Sequence, residues 1–418
     1  MTVADNTGVC VIGAGQAAAE LAASLRQEGY AGGITLIGDE PWLPYQRPPL
    51  SKASLVGQLL TDSLLLRKAD FYERHAVRVH SGRRAVAVDL TARQVRLDDD
   101  RLLAFETLVF ATGGHARPLK VDGAAQANRC DNWHVLRTIA DLQRLKPQWQ
   151  QGKRVAIVGG GYIGLEVASS AMKAGLVAIV LEALPRVLAR VTAPEVSAFY
   201  EKIHRAAGVD LRTGVAVEGV DTTGDRVTAL RTSAGLIEAD SFLVGVGLVP
   251  NTIIAHQSGL DTENGIVVDR EMRTRDRQVY AIGDCASHPN IWSRTRTRLE
   301  SVPNAIEQAR VAAANIAGKP RSYDAVPWFW SDQYDLKLQM VGLSQGYEQL
   351  VLRGDPATRS FLAIYLRGGQ VIAADAISRP GEFLTVKKLV AARLRASAER
   401  LADEQQPLRA LLANGSAS

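Results

Sequence analysis

The chain is poor in cysteine: Cys10, Cys130 and Cys285 are the only three in 418 residues, and they lie far apart. No C-x-x-C or similar close pair exists, which excludes a local redox disulfide. Cys10 falls within an apolar strand and Cys285 after a loop motif, so both read as small packed residues. No apolar run approaches the length that spans a bilayer, and the first strand begins within ten residues without a basic and apolar leader. No membrane association is therefore expected, and the expected location is the cytoplasm. Basic residues form neither long runs nor a dense stripe, and no recognition motif accompanies them, so nucleic acid is not an expected partner. No metal site is expected either.

What remains is an ordinary globular composition, 46% hydrophobic and 22% charged, with a net charge of +5 and enough length for two or three domains. Two glycine-rich fingerprints stand out. Val9-Cys10-Val11-Ile12 runs into Gly13-Ala14-Gly15-Gln16-Ala17-Ala18, and Val155-Ala156-Ile157-Val158 runs into Gly159-Gly160-Gly161-Tyr162-Ile163-Gly164. Both carry the G-x-G-x-x-G/A spacing between an apolar strand and a helix. The first glycine permits the tight turn, the second lets backbone N–H groups approach a pyrophosphate, and the third position packs helix on strand. Two copies point to two dinucleotides.

The second strand of each unit ends in acid: Ile34-Thr35-Leu36-Ile37-Gly38 at Asp39-Glu40, and Ala178-Ile179-Val180-Leu181 at Glu182. A carboxylate at this distance accepts hydrogen bonds from an adenosine ribose and repels a 2′-phosphate, so the second site should prefer NADH to NADPH. Arg186 and Arg190 lie nearby and could instead grip the pyrophosphate or cover the adenine.

Between the motifs, a helix is expected over residues 17–28 and a rigid loop over Tyr45-Gln46-Arg47-Pro48-Pro49-Leu50-Ser51-Lys52, where adjacent prolines remove donors. Strands are expected at 77–79, 85–89, 94–97, 107–111, 215–220, 226–232, 336–342, 348–353 and 361–366, and a helix at 305–316. Val279-Tyr280-Ala281-Ile282-Gly283-Asp284 reads as an apolar strand delivering an aspartate into a loop. Arg294-Thr295-Arg296-Thr297-Arg298 is either a strand with three guanidiniums on one face or a solvated loop. As a patch it could steer an acidic protein.

Taken together, the two fingerprints, Arg47-Pro48-Pro49-Leu50-Ser51-Lys52, Ala111-Thr112-Gly113, Gly159 to Glu166, Gly283-Asp284 and Pro327-Trp328-Phe329-Trp330-Ser331-Asp332-Gln333-Tyr334 resemble the bacterial NADH-dependent ferredoxin reductases that serve oxygenases. The resemblance covers nearly the whole chain. It implies an α/β, glutathione-reductase-like flavoprotein with two dinucleotide sites: an FAD domain (1–115 and 248–323) interrupted by an NADH domain (116–247), then a C-terminal α+β domain (324–418). It implies electron transfer from NADH through FAD to an acidic [2Fe–2S] ferredoxin that supplies a haem monooxygenase or a ring-hydroxylating dioxygenase. A rubredoxin reductase and a redox-responsive interaction protein like apoptosis-inducing factor are the competing readings.

Position by position, the resemblance assigns Gly13, Gly15, Ala17, Asp39, Arg47, Lys52, Ala85, Thr112, Gly113, Arg137, Asp284 and Val302 to FAD. Ala85 stands where the family usually has valine, but its contact is a main-chain one. Gly161, Tyr162, Ile163, Gly164, Glu182, Arg190 and Gly247 are assigned to NADH. Lys52 and Glu166 would pair beside the flavin and favour its reduced form, and Trp330 would stand on the route to the ferredoxin. Without the resemblance, Glu166 reads as a helix-start acid complementing the dipole, Lys52 as a surface cation and Trp330 as a core residue.

Overall fold

A computed structural model describes residues 8–57 and 61–414. Of the tail Asn414 to Ser418, which is expected to fray, Asn414 ends the helix Arg409–Asn414 and 415–418 lie outside the described residues. The chain divides into two compact units: one gathers 8–46, 62–115 and 249–327, the other 47–57, 61, 116–248 and 328 onward.

The first unit is built on a five-stranded parallel sheet in the order Val279–Ala281, Thr107–Phe110, Gly8–Ile12, Gly33–Gly38, Val77–Ser81. Its central strands are near-continuous apolar runs because both faces are covered. Gly8–Ile12 is buried throughout. The helix Gln16–Gln27 packs its Ala17, Ala18, Leu21, Ala22 and Leu25 into this core beside Ala305, Ala309, Ala312 and Ala313 of the helix Val302–Ile316. Small residues on both helices allow close approach. Two smaller three-stranded sheets belong to the same unit, an antiparallel one (Ala85–Asp89, Gln94–Leu97, Leu102–Ala104) and one of Ile266–Val267, Ala286–Pro289 and Arg296–Thr297.

The second unit repeats the parallel plan in the order Asp210–Thr213, Val177–Glu182, Arg154–Val158, Ser241–Val244, Trp133–His134. The helix Tyr162–Lys173 follows the second fingerprint. The same unit contains a five-stranded antiparallel sheet in the order Trp328–Gln333, Leu336–Gly342, Gln370–Ile377, Phe361–Arg367, Gln349–Arg353, followed by the helix Pro380–Ala391.

Several expectations shift in detail. The double proline does not hold an irregular loop but opens a turn of 3₁₀ helix, Pro48–Ser51. Proline's fixed φ and missing donor are compatible with a first helical turn. The helix expected from residue 305 begins at Val302, because Ser301 caps it by accepting from Asn304 N–H and Pro303 sits in its first turn. The aromatic run at 328 is itself a strand, and Gln370–Ile377 is a further strand not foreseen.

Candidate nucleotide-binding and redox site

In the first unit the candidate residues collect beyond the carboxyl ends of the parallel strands, where open α/β sheets bind ligands. Gly13 and Gly15 follow Gly8–Ile12, Asp39 follows Gly33–Gly38, Thr112 and Gly113 follow Thr107–Phe110, and Asp284 follows Val279–Ala281. Gly13 has φ +115°, and a Cβ there would collide with the Ala111 carbonyl, so only glycine fits. Gly15 opens the helix Gln16–Gln27 without a side-chain cap, without an acid in the first turn, and with nothing within 4 Å of where a Cβ would stand. That leaves the first N–H groups of the helix for an anion.

Ala17 explains the third position of the motif: its methyl lies 3.2 Å from where a Cβ on Gly283 would fall. A longer residue at 17 would displace the turn carrying Asp284. Thr112 Oγ1 donates to Asn251 O at 2.6 Å and Asn251 Nδ2 returns a bond to Thr112 O at 3.0 Å, which fixes the loop after its strand. Ala85 is buried at the start of the small antiparallel sheet, and Val302 is half-buried at its helix start. Asp39 is left exposed, 3.9 Å from Arg84.

In the second unit Gly161 follows Arg154–Val158, Glu182 ends its strand and Gly247 follows Ser241–Val244. Gly161 again opens an uncapped helix with open space in place of a Cβ, while Gly164 lies against the Gly159 carbonyl too closely for any side chain. Ile163 is 44% exposed in the first turn of the same helix. The Tyr162 ring sits 4.6 Å from that of Phe329. Gly247 has φ +113°, and its carbonyl accepts from Arg117 N–H. Glu182 accepts from Gly160 N–H at 2.6 Å and from Leu184 N–H at 2.8 Å. The carboxylate thus braces the glycine loop, with lone pairs left over for a ribose. Of the two nearby arginines, Arg186 is consumed internally, donating to Thr192 O, Ser197 Oγ and Ala189 O. Arg190 stands exposed.

Lys52 and Glu166, which sequence separates by more than a hundred residues, meet at 2.7 Å. Glu166 is only 5% exposed, so it is not a solvated acid answering a helix dipole. Ser51 Oγ donates to its Oε2 at 2.6 Å and Ser331 Oγ to its Oε1 at 2.7 Å. Burying a carboxylate is costly unless it is paired and hydrogen-bonded. Here three donors from two further segments satisfy it. Ser170 Oγ holds Ser51 O at 2.7 Å, tying the Pro48–Ser51 turn to the fingerprint helix, which is why residues 47–57 cluster in this unit. Arg47 donates to Arg137 O at 2.7 Å, so these two assigned residues are also neighbours.

Strand Trp328–Gln333 alternates. Phe329, Ser331 and Gln333 make the contacts to Tyr162, Glu166 and His204, while Trp328 and Trp330 stack on each other at 5.7 Å and Trp328 on Phe383 at 5.9 Å. Trp330 is half-buried. Ser51, Ser331, Gln333 and His204 were not legible as site residues. The available signals were polar side chains at inward positions: Ser331 and Gln333 at period two, and His204 on the helical face of Val196 and Tyr200.

All three cysteines are free and buried. Burial pushes the Cys10 thiol up to about 12 and raises that of Cys285. Arg296 and Arg298 do not form a free basic face. Arg296 donates to Val268 O and Ser287 O, and Arg298, 8% exposed, pairs with Glu300 and donates to Asp284 O. Among the described residues no helix is long and apolar enough to cross a membrane, and no group of three or more His, Cys, Asp or Glu could hold a metal.

Two nucleotide cradles, a buried Lys–Glu pair and a C-terminal antiparallel sheet define a flavoprotein reductase. The chain belongs to the pyridine nucleotide-disulphide oxidoreductase family, whose model matches residues 7–309, and the reductase C-terminal domain matches 328–412. It is an oxidoreductase of the ferredoxin reductase type, and its cofactors are FAD and NAD(H). It is 43% identical to putidaredoxin reductase CamA of Pseudomonas putida over 98% of this chain and 97% of that protein. It is 36% identical to the ferredoxin–NAD(+) reductase component of the anthranilate 1,2-dioxygenase system of Burkholderia cepacia, over 96% and 98%. The crystal structure of the covalent putidaredoxin reductase–putidaredoxin complex matches with a TM-score of 0.94 at 42% identity, covering 99% of this chain and all of that one.

Proposed function

We propose that this chain oxidises NADH and passes the electrons, through bound FAD, one at a time to an acidic [2Fe–2S] ferredoxin serving a haem monooxygenase or ring-hydroxylating dioxygenase in the cytoplasm. The observation that carries the proposal is the combination of two nucleotide cradles with three isolated, buried cysteines. Electrons delivered as hydride have no thiol route on this chain and must leave for an outside acceptor. FAD supplies the conversion of a two-electron hydride into two single electrons, which no side chain here can perform.

The residues supply placement and charge. Gly13, Gly15 and Ala17 would present helix N–H groups to the FAD pyrophosphate and Asp39 would accept from its ribose, with Arg47, Lys52, Ala85, Thr112, Gly113, Arg137, Asp284 and Val302 completing that site. Gly161, Tyr162, Ile163, Gly164, Glu182, Arg190 and Gly247 would take NADH, with Glu182 selecting the free 2′-hydroxyl. Lys52, held by Glu166, would place a cation where negative charge gathers on reduction, and Trp330 would stand at the electron exit.

The test is steady-state NADH oxidation with a [2Fe–2S] ferredoxin, a rubredoxin and ferricyanide offered separately. Ferredoxin should support a kcat/KM well above that with rubredoxin. A preference for rubredoxin would reassign the acceptor.

A further inference from the structure

The carboxylate of Glu166 is the end of a buried chain of hydrogen bonds that runs away from Lys52. Ser331 Oγ donates to Glu166 Oε1 at 2.7 Å, and Gln333 Nε2 donates to Ser331 Oγ at 3.3 Å. Gln333 Oε1 lies 2.9 Å from His204 Nε2, and His204 Nδ1 lies 3.0 Å from the Tyr334 hydroxyl. Ser331, Gln333 and His204 are all at most 1% exposed.

The chemistry of each atom fixes the direction of the chain. An amide oxygen can only accept, so His204 Nε2 carries the proton. Burial lowers the histidine's pKa, which keeps the ring neutral and leaves Nδ1 to accept from Tyr334 O–H. Every dipole from Tyr334 to Ser331 therefore points its positive end toward Glu166, and such chains polarise one another. The Gln333 amide, which does not readily pass a proton, interrupts any proton wire. The chain positions Glu166 and does not conduct.

The far end is anchored with strain. Tyr334 has φ +56°, in the left-handed region that tyrosine rarely adopts. Three bonds hold it there: its N–H donates to Ser169 Oγ at 2.7 Å, its carbonyl accepts from Lys173 Nζ at 3.4 Å, and its hydroxyl meets His204. Such strain persists where surrounding contacts over-determine it.

We infer that Ser331, backed by Gln333, His204 and Tyr334, is a positioning residue that fixes the Glu166 carboxylate against Lys52, so that the C-terminal sheet sets the geometry of the charge pair used in hydride transfer. This rests on the reading of Lys52 and Glu166 as the pair that serves the flavin, and on nothing about the acceptor. The charged and titratable groups in this network are Lys52 beside the Pro48–Ser51 turn, Glu166 and Lys173 on the helix Tyr162–Lys173, His204 on Pro194–Ala206 and Tyr334 after the Trp328–Gln333 strand.

The test uses full-length holoprotein and two readouts. The carboxylate stretch of Glu166, assigned by infrared difference against Glu166→Gln, reads its hydrogen bonding directly. Stopped-flow reduction by NADH separates the limiting rate from the NADH dissociation constant. Ser331→Ala should shift the Glu166 band and slow the limiting rate about 10-fold, the scale of one lost hydrogen bond to a charged group, with NADH affinity unchanged. Ser331→Thr should restore both. Should Ser331→Ala not accumulate as folded protein, Ser331→Cys, similar in size with a weaker donor, should move both readouts the same way by less. An unmoved band overturns the inference, as does a shifted band with an unchanged limiting rate, or a slowed rate that Ser331→Thr fails to rescue. If the band and rate move together yet no ferredoxin is reduced, the inference stands and the acceptor assignment falls.

Discussion

Glu182 offers the sharpest test of how the second site chooses its donor. A 2′-phosphate carries a charge of about −1.5 to −2. At roughly 5 Å from the carboxylate, repulsion amounts to about 1.5 kcal/mol at the dielectric constant of water and about 6 kcal/mol at an effective value of 20. Glu182 is half-buried, so the intermediate figure of about 3 kcal/mol applies, or on the order of 10²-fold in preference for NADH. The structure also dictates which substitution to make. Because the carboxylate accepts from both Gly160 N–H and Leu184 N–H, Glu182→Ala would release the glycine loop and weaken both donors. Glu182→Gln removes the charge yet keeps an oxygen for Gly160. The measurement is kcat/KM for NADH and NADPH in the wild type and both variants. Glu182→Gln should narrow the NADH:NADPH ratio about 10²-fold, helped by exposed Arg190 nearby, while Glu182→Ala should lower kcat/KM for both. An unchanged ratio in Glu182→Gln would refute electrostatic exclusion by this residue.

Further outcomes follow from other parts of the molecule. Asp375, fully buried and accepting from Thr192 and Tyr365 hydroxyls, is pushed up by burial to about 6 from 3.8. Its folded-state pKa is raised, so its contribution is fully present below about pH 3.8 and lost as pH rises through 6; chemical denaturation should show wild type gaining up to about 3 kcal/mol relative to Asp375→Asn between pH 7 and pH 4, and a flat difference would exclude a buried ionisation. Replacing Cys10, Cys130 and Cys285 together by alanine or serine should leave flavin reduction by NADH intact in protein that folds, whereas abolished hydride transfer would implicate a thiol. Arg310 is exposed and held by Glu20 at 2.8 Å and Glu307 at 3.1 Å; the family resemblance implies that it faces the acidic ferredoxin, where it should act on encounter. Arg310→Glu and rising salt should raise KM for ferredoxin and spare ferricyanide turnover, and rates indifferent to both would mean that docking there is not electrostatic.

Much of this was readable in the chain because its signals are local. Gly13 and Gly159 follow buried apolar strands at a spacing that only a strand–turn–helix can use, and Asp39 and Glu182 fall one strand later. The C-terminal strand Leu336–Gly342 has the bounds expected of it. What could not be read depends on tertiary partners. The Ser51–Glu166–Ser331 cluster joins three segments whose polar residues look solvated in isolation, and His204 shows itself only as a polar interruption of an apolar helical face. The arginines at 294, 296 and 298 show the same limit: their alternation is visible in the chain, but no local pattern announces that Arg296 and Arg298 donate to backbone carbonyls.

The central claim is that electrons enter as hydride and leave singly to an iron–sulfur protein. Stopped-flow mixing of the flavin-loaded protein with one equivalent of NADH, then with oxidised [2Fe–2S] ferredoxin, tests it in one experiment. Flavin absorbance should bleach on the first mix and recover on the second, with two equivalents of ferredoxin reduced per NADH. Bleaching without recovery, in the presence of a competent ferredoxin and at low salt, would contradict the account.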